Sequence, residues 1–521
     1  MRQTLREAFE HSLRLHASSP AIEFDGRQLT YAEIDRWSAS MADNLRALGV
    51  APGDVVAIYM RNRPEFLVLD VAVARIGAVK LPLNYMLPRS SVTHCLRKGA
   101  AKLLVTDTDL LDEASGAVQD LPNITIVGLA ECASRTHAHL PTMCSLPAPG
   151  TAVPELPEFT SGEVGATSPA AVYFSGGTTG LPKGIVHNQA STLALHYAQL
   201  LEAEILQDER LLLMTPLAHA AGLFGQSALI RGATIVLTDG FDAEQTAKLL
   251  TSARITWTFL VPTMIYRLLD TLSEREVDLA IRTIVYGAAP ISPARLEQAL
   301  QIFGPVFIQL YGQTESPNWG TRLSKQDHDI SRPHLLSSCG QASILAEVKV
   351  VDDDDAPQKS GRAGEICLRT PYLLDRYIGD PEATQEKFLG DWIRTGDIGM
   401  LDEDGYLYLL DRKSDMVISG GMNVYCREVE DILSTHPGIR VAAVIGIPHE
   451  DWGEAVHAVV VPAQSGLDPA ELVEWTRGKL ASYARPKTVE LVELLPETPF
   501  GKVDKKALRA AHWSGREREI G

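Results

Sequence analysis

The sequence has no apolar run long enough to cross a bilayer. Even Phe66–Val79 is broken by Asp70 and Arg75. Positive charge is in deficit, with 48 Lys and Arg against 66 Asp and Glu and a formal net charge of −18. That balance argues against nucleic acid or an anionic membrane as partner, because both repel an acidic surface. It leaves room for local basic sites that bind phosphates. Paired cysteine motifs are absent as well: Cys95, Cys132, Cys144, Cys339, Cys367 and Cys426 are scattered, with no C-x-x-C. Free thiols in a reducing compartment, and a cytoplasmic location, follow as the expectation. Met1–Leu15 lacks the apolar core of a signal peptide. It alternates charge with Leu5, Phe9 and Leu13 at helical spacing, the pattern of an amphipathic surface helix.

What is present suits a soluble multidomain protein: 521 residues, 45% hydrophobic and 22% charged, too long for a single core. Short apolar strands at Val55–Tyr59, Lys102–Thr106, Thr125–Val127, Thr234–Leu237 and Thr283–Tyr286 alternate with helical patterns such as Tyr31–Leu48 and Pro293–Phe303. That rhythm predicts parallel sheets covered by helices on both faces. Glu347–Val351, Gly364–Arg369 and Gly405–Leu410 predict a small antiparallel or barrel-like subdomain. Asp352–Asp355 reads as a solvated turn rather than a metal site, since consecutive residues of an extended chain point to opposite faces. After the charged junction Asp411–Ser414 come a helix at Arg427–Thr435, strands at Val441–Ile447 and Ala455–Val461, a helix at Pro469–Leu480 and a strand near Val489–Leu494. The expected domains are therefore residues 1–411 and 412–521.

One stretch carries more chemistry than any other. Tyr173–Gly184 packs Ser175, Gly176, Gly177, Thr178, Thr179, Gly180 and Lys183 into twelve residues directly after the apolar segment Ala170–Phe174. Glycines let backbone N–H groups approach an anion, hydroxyls add donors, and the lysine adds a mobile positive charge. The pattern is a polyphosphate cradle. It is not a Walker loop, because Pro182 precedes Lys183 and the lysine does not open a helix.

Taken with this loop, further segments resemble the adenylate-forming superfamily of acyl-CoA synthetases, aryl-CoA ligases, luciferases and peptide-synthetase adenylation domains. They include Leu29-Thr30-Tyr31, Gly77-Ala78-Val79, Pro216-Leu217-Ala218-His219, Gly287-Ala288-Ala289-Pro290, Tyr311-Gly312-Gln313-Thr314-Glu315 and Gly364-Glu365-Ile366. Thr395-Gly396-Asp397, the Arg412 junction, Ser419–Tyr425 and Pro499-Phe500-Gly501-Lys502 complete the set. They occur in the family's order over nearly the whole chain. The resemblance implies an α/β fold: a large N-terminal domain of two parallel αβαβα subdomains plus a small β-barrel-like subdomain, then a small mobile α+β C-terminal domain. It also implies ATP, Mg2+ and CoA as cofactors and a carboxylic acid as substrate. A carrier protein is a further partner it admits, as is a second copy of the chain.

Residue by residue, the resemblance makes Thr178, Thr179 and Lys183 contacts to the ATP phosphates, with Glu315 and Thr179 at the Mg2+. Gly287, Ala288, Ala289 and Pro290, with Gln309, Tyr311, Gly312, Gln313 and Thr314, would wall the adenine. Asp397 would accept the ribose hydroxyls, with Arg412 beside it. Lys502 would bridge the acid carboxylate and the α-phosphate in the first step, bringing two anions together. Ser414 would be the hinge about which the C-terminal domain turns between steps. Ser419, Gly420 and Gly421 would line the pantetheine tunnel. His219 would gate the acyl pocket near the thiol, with Ala220, Ala221, Gly222, Gly312 and Ser316 lining it.

Small residues after His219, with Leu223, Phe224, Ala228 and Val261, predict a roomy apolar pocket for a medium- or long-chain, aromatic or bulky alicyclic acid. No carboxylate stands beside Pro216–Gly222 to pair an α-amine, which counts against an amino-acid substrate. The leading expectation is an acyl-CoA synthetase. The alternatives are an acyl-AMP ligase loading a carrier protein and a non-catalytic nucleotide-binding relative. Three departures from the family pattern stand out. Cys426 takes the place of a proline, predicting a looser loop or an exposed thiol. Gly340–Ser343 lacks prolines, and Asp375-Arg376-Tyr377 replaces a Gly-Tyr pair.

Overall fold

The computed structural model describes residues 3–131, 140–151, 154–157, 159, 163–175, 182–272, 279–464, 466–496 and 503–513. The chain forms two compact units. One comprises Met1–Gly177, Leu181–Val348 and Leu368–Ile393; the other comprises Thr178–Gly180, Lys349–Cys367 and Arg394–Gly521.

Two sheets build the first unit. The larger has nine strands in the order Gln341–Ala342, Ser316–Leu323, Phe307–Gln313, Thr283–Tyr286, Trp257–Leu260, Arg210–Leu213, Thr234–Leu237, Pro20–Phe24 and Arg27–Thr30. Its middle is parallel and its margins are antiparallel hairpins. The second has seven strands: Arg376–Tyr377, Gly184–Asn188, Pro169–Phe174, Val79–Pro82, Val55–Tyr59, Ala101–Thr106 and Thr125–Gly128. Their central strands are almost wholly buried, as parallel strands covered on both faces must be. The expected strands Val55–Tyr59, Thr234–Leu237 and Thr283–Tyr286 are found with those bounds.

Helices start where the sequence supplies caps. Thr30 and Glu33 form a reciprocal capping box at Tyr31–Ala47, and Asn188 with Ser191 does the same at Gln189–Glu202. Pro64 and Pro293 open their helices, where a missing N–H costs nothing. Among the described residues no helix is long and apolar enough to cross a membrane.

A buried polar chain runs through the first unit's core. Lys80 Nζ, on strand Val79–Pro82, lies 3.2 Å from Asp70 Oδ1 on helix Pro64–Arg75. Asp70 Oδ2 accepts a hydrogen bond from Gln226 Nε2 (2.9 Å) on helix Ala220–Arg231. The Tyr173 ring centroid stands 5.8 Å from the same ammonium. One charge pair thus connects the strand that enters the glycine-rich loop with the helix that follows His219.

In the second unit, Leu407–Arg412 pairs antiparallel with the 397–401 segment. In a long hairpin, Ile439–His449 with Gly453–Pro462, the second strand also pairs along its other edge, with Val417–Ser419 at Gly453 and with Thr488–Leu491 at His457–Val460; Met422–Val424 adds to Val417–Ser419. Val417, Val424, Val429, Leu433, Val444 and Val456 lie in its core. Asp352–Asp355 forms a turn, as expected: Asp352 Oδ1 accepts the N–H groups of Asp354 and Ala356 at 3.1 and 2.9 Å. One helix is shorter than its pattern suggests. Pro469–Leu480 stops at Trp475, because Gly478, with φ +79°, adopts the left-handed conformation that ends helices.

Replacing Lys80 by Met strands the Asp70 carboxylate in the core and should lower stability by about 3–5 kcal/mol. The double variant Lys80→Met with Asp70→Leu should recover most of that loss. Thermal and urea unfolding of the three proteins checks both outcomes.

Candidate active site

The glycine-rich loop closes a β-hairpin. Phe174 pairs with Gly184 across strands Pro169–Phe174 and Gly184–Asn188, and Ser175 N donates to Lys183 O at 3.3 Å. Lys183 therefore precedes a strand rather than opening a helix, which agrees with the distinction from a Walker loop. Gly176, Gly177, Thr178, Thr179 and Gly180 lie outside the described residues. Lys183 Nζ is 3.7 Å from Asp380 Oδ2 and 5.2 Å from the centroid of Tyr377, a cation–π distance. These side chains, with His94 and Lys98, line a cleft of about 210 Å³, where His94 Nε2 contacts Pro182 O at 2.9 Å.

Glu315 occupies the two-residue turn between strands Phe307–Gln313 and Ser316–Leu323 and is only 8% exposed. Its Oε1 accepts a hydrogen bond from the Tyr377 hydroxyl at 2.7 Å. Burial, and then the Glu315 charge, push the Tyr377 phenol upward, so it keeps its proton and donates. Lys387 Nζ lies 3.9 Å from the same oxygen and donates to Gln313 Oε1 at 2.7 Å. His187 Nε2 meets Thr314 O at 2.9 Å. Tyr377 consequently touches both Lys183 and Glu315, two groups the sequence reading singles out separately.

The walls expected for adenine are built from tight backbone. Ala288 has φ +65°, a strained value for a residue with a side chain. A Cβ on Gly287 would meet Leu310 O at 2.7 Å, and one on Gly312 would meet Asn318 N and Ser316 O at 2.7 Å. Tyr311 is buried. Gln309 Oε1 accepts the Tyr286 hydroxyl at 3.1 Å, and that hydroxyl also contacts His328 Nε2 at 2.9 Å.

His219 caps helix Ala220–Arg231, with Nε2 3.2 Å from Asn84 Nδ2. A Cβ on Gly222 would lie 2.0 Å from Leu217 O, so the turn into this helix requires glycine there. Asn62 holds the same turn: its Oδ1 accepts Leu217 N at 3.0 Å, and its Nδ2 donates to Thr215 O at 3.0 Å. Ala221 is buried, and Ser316 Oγ contacts Thr370 Oγ1 at 3.1 Å. Phe224 packs on Trp257 and Phe259 in the core, at centroid distances of 4.9 and 5.3 Å. Next to it, Gln199 donates to Ser227 Oγ at 2.7 Å and accepts from Asn318 Nδ2 at 2.5 Å. This face of the helix therefore mixes polar groups into a region its sequence presents as apolar. Asn62 and Asn84 were not singled out from the sequence, since no local motif marks them; Tyr377 was noted only as part of a departure from the family pattern, not as a site residue.

In the second unit Asp397 stands across the ladder from Arg412, with Oδ1 3.6 Å from Arg412 Nε. Gly396, at φ +76°, lets the chain turn so that Asp397 N donates to Thr395 Oγ1 at 3.0 Å. Glu365 accepts Gly396 N at 3.2 Å and faces Arg394 and Lys413 at 3.4 and 3.5 Å. Ser414 lies in a turn that Asp415 N closes onto Arg412 O at 2.9 Å. Gly420 and Gly421, at φ +59° and +77°, form a two-residue hairpin turn between Ser419 and Met422.

Cys426 is corrected by the structure. Its thiol is fully buried and contacts Asp415 O at 3.1 Å, and its N–H donates to the Asp411 carboxylate. Burial pushes the thiol well above the usual cysteine range. The residue is neither exposed nor loosening, because cysteine keeps a backbone donor that proline lacks. Lys502 lies outside the described residues. On either side of the undescribed residues 497–502, Asp504 N donates to Pro496 O at 2.7 Å.

Residues 9–378 match the AMP-binding enzyme family, and residues 428–502 match the AMP-binding enzyme C-terminal domain. A medium/long-chain-fatty-acid–CoA ligase of Mycobacterium tuberculosis is 34% identical, covering 98% of this chain and 90% of its own. A fatty acid–[acyl-carrier-protein] ligase of Streptomyces coeruleorubidus is 33% identical, covering 99% and 98%. A feruloyl-CoA synthase of an Amycolatopsis species is 35% identical, covering 95% and 96%. Among solved structures, the amide bond synthetase McbA of Marinactinospora thermotolerans superposes with a TM-score of 0.87 at 30% identity, covering 97% of this chain and 99% of its own. The o-succinylbenzoate coenzyme A synthetase of Bacillus subtilis, solved with ATP and magnesium, superposes at 0.83 and 26% identity, covering 96% and 98%. With its large α/β domain and small C-terminal domain, the chain belongs to the AMP-binding enzyme family, as an enzyme of the AMP-forming acid–thiol ligases.

Proposed function

We propose that this protein is an acyl-CoA synthetase that activates an apolar carboxylic acid, fatty or aromatic, with ATP and transfers the acyl group to CoA. One observation carries the reading. The lysine of the glycine-rich loop and the buried Glu315 both contact Tyr377, so a phosphate-binding cation and a lone carboxylate converge on one side chain. The acid class rests on the fatty-acid and feruloyl ligases to which the chain is similar.

In the first step the acid carboxylate attacks the α-phosphate of ATP and pyrophosphate leaves. Lys183 and the loop hydroxyls hold the β- and γ-phosphates, while the walls from Gly287 to Pro290 and from Gln309 to Thr314 hold the adenine. Asp397 with Arg412 serves the ribose. Lys502 offsets the charge of the two anions that must meet. Glu315 suits Mg2+: a largely buried carboxylate with one oxygen fixed by a phenol fits an ion that takes only one or two carboxylates beside phosphate and water, and Thr179 would stand with it. When bound, Mg2+ would neutralise phosphate charge. In the second step the thiol attacks the adenylate carbonyl and AMP leaves, with His219 at the acyl pocket entrance beside Ala220, Ala221, Gly222, Gly312 and Ser316. Residues 412–521 act as the mobile domain, hinged at Ser414, and Ser419–Gly421 line the pantetheine path.

Mass spectrometry of products from purified protein, MgATP and a panel of acids tests this, with CoA, a carrier protein or an amine supplied separately. Acyl-CoA formed only with CoA supports the reading. Acyl-AMP that passes only to the carrier or the amine overturns CoA as the acceptor; similar proteins include a fatty acid–[acyl-carrier-protein] ligase and an amide bond synthetase. No adenylate from any acid would leave a silent nucleotide-binding protein.

Lys502→Ala should slow adenylate formation about 100-fold or more while leaving thiolysis of supplied acyl-AMP nearly intact. Equal loss in both half-reactions would remove the role given to Lys502. Tyr377→Phe should weaken Mg2+ binding to the ATP complex about ten-fold by freeing Glu315, read by calorimetric titration of Mg2+.

A further inference from the structure

We propose that His457, Glu490 and His512 form a binding site for a divalent transition metal of the zinc class, within the second unit and apart from the ligase chemistry. His457 comes from strand Gly453–Pro462, Glu490 from its parallel neighbour Thr488–Leu491, and His512 from the turn after helix Lys505–Ala510. One ligand atom from each lies within 4.8 Å of the other two. His457 Nε2 and Glu490 Oε2 are 3.5 Å apart, and the two imidazole centroids are 4.9 Å apart. Zinc bonds of about 2.0–2.2 Å place tetrahedral ligand atoms roughly 3.4 Å from each other. Small side-chain rotations therefore separate this cluster from a coordination set.

The buried ring points to a cation. The His457 side chain is 6% exposed, and its Nδ1 is engaged by Thr488 Oγ1 at 2.7 Å. Its Nε2, facing Glu490, has no hydrogen-bond partner. A bare ring nitrogen facing a carboxylate is repelled, so this nitrogen carries either a proton or a metal. Thr488 supplies the outer hydrogen bond that commonly orients a metal-bound histidine. Glu490 is exposed, which provides a path of entry and room for a water as fourth ligand. Two imidazoles and one carboxylate favour zinc-like ions over Mg2+ and Ca2+, which prefer all-oxygen sets.

Occupancy would fasten the turn at His512 to both strands. Helix Lys505–Ala510 lies between that turn and the segment containing Lys502, so the metal would stiffen the chain just behind it. The assignment does not depend on the ligase reading, because its test measures metal rather than product.

Metal-stripped full-length protein is titrated with zinc against a chromophoric chelator, and separately with Co2+. The wild type should take up one zinc that His512→Ala and Glu490→Gln bind at least about ten-fold more weakly. Co2+ should give a visible d–d band in the wild type alone. Zinc should slow hydrogen exchange across residues 503–513 only in the wild type. Far-UV circular dichroism confirms that the variants, changed outside the core, are folded. Equal zinc affinity in all three proteins, or no zinc uptake by the wild type, would overturn the site.

Discussion

The first unit depends on one buried ammonium. Lys80 rises from the seven-stranded sheet to Asp70, and Asp70 holds Gln226 on the helix behind His219. Hydrophobic packing brings these layers together but is not directional, so by itself it leaves their register loose. A charge pair with a hydrogen-bonded amide is directional and expensive to misplace, because any shift leaves a charge unpaired in a low dielectric. Tyr173, two residues before the loop begins, faces the same ammonium. The loop entrance meets Lys80 directly, and the His219 helix is tied to it through Asp70, so one charge pair positions both. An apolar trio would pack as well without supplying that common reference.

Several of the residues proposed to carry the chemistry sit at or beside hairpin turns. Ser175–Lys183 closes one hairpin, Thr314–Glu315 another, and Gly420–Gly421 a third. A strand pair fixes both ends of a short turn through its ladder, which limits the directions its side chains can take. Glycine is demanded by left-handed backbone in the turn at Gly420 and Gly421, and by close approach at Gly312 in the strand leading into Thr314–Glu315. Ala288 adopts such a conformation without being glycine, and this strain lies in the wall assigned to adenine.

The strands that were legible in the sequence, such as Val55–Tyr59, Thr234–Leu237 and Thr283–Tyr286, are short β-branched or aliphatic runs between turn residues, a signal carried by neighbours along the chain. The motif residues were legible because their types and order match a family. The contacts that hold them were not. Tyr377 and Glu315 are 62 residues apart, and Asn62 and Leu217 are 155 apart. No local pattern marks a tyrosine or asparagine as the partner of a distant turn. Cys426 shows a different limit: comparing side chains, cysteine for proline, overlooked the backbone N–H that Asp411 uses.

The carboxy-terminal charges show how far a correct local pattern can mislead about burial. By charge pattern alone, Lys505, Lys506 and Arg509 would make a solvated basic face. Yet Lys505 Nζ lies 2.7 Å from Glu430, and Arg509 Nη2 lies 2.8 Å from Asp415, with side chains only 17% and 12% exposed. Burial opposes charge on Lys505, but Glu430, Asp411 and Asp415 outweigh it and hold the ammonium on. The helix has six residues and no buried apolar one, too little to form alone. Lys505 and Arg509, four residues apart, share one face, so ion pairs do for this helix what an apolar stripe does elsewhere. Trp513 adds a hydrogen bond to Gly446 O at 2.9 Å just beyond it. A short element held by directional charge contacts has one docked register, whereas a greasy helix of this length could slide. That is the anchorage a lysine just upstream needs if it is to reach the same point in every turnover.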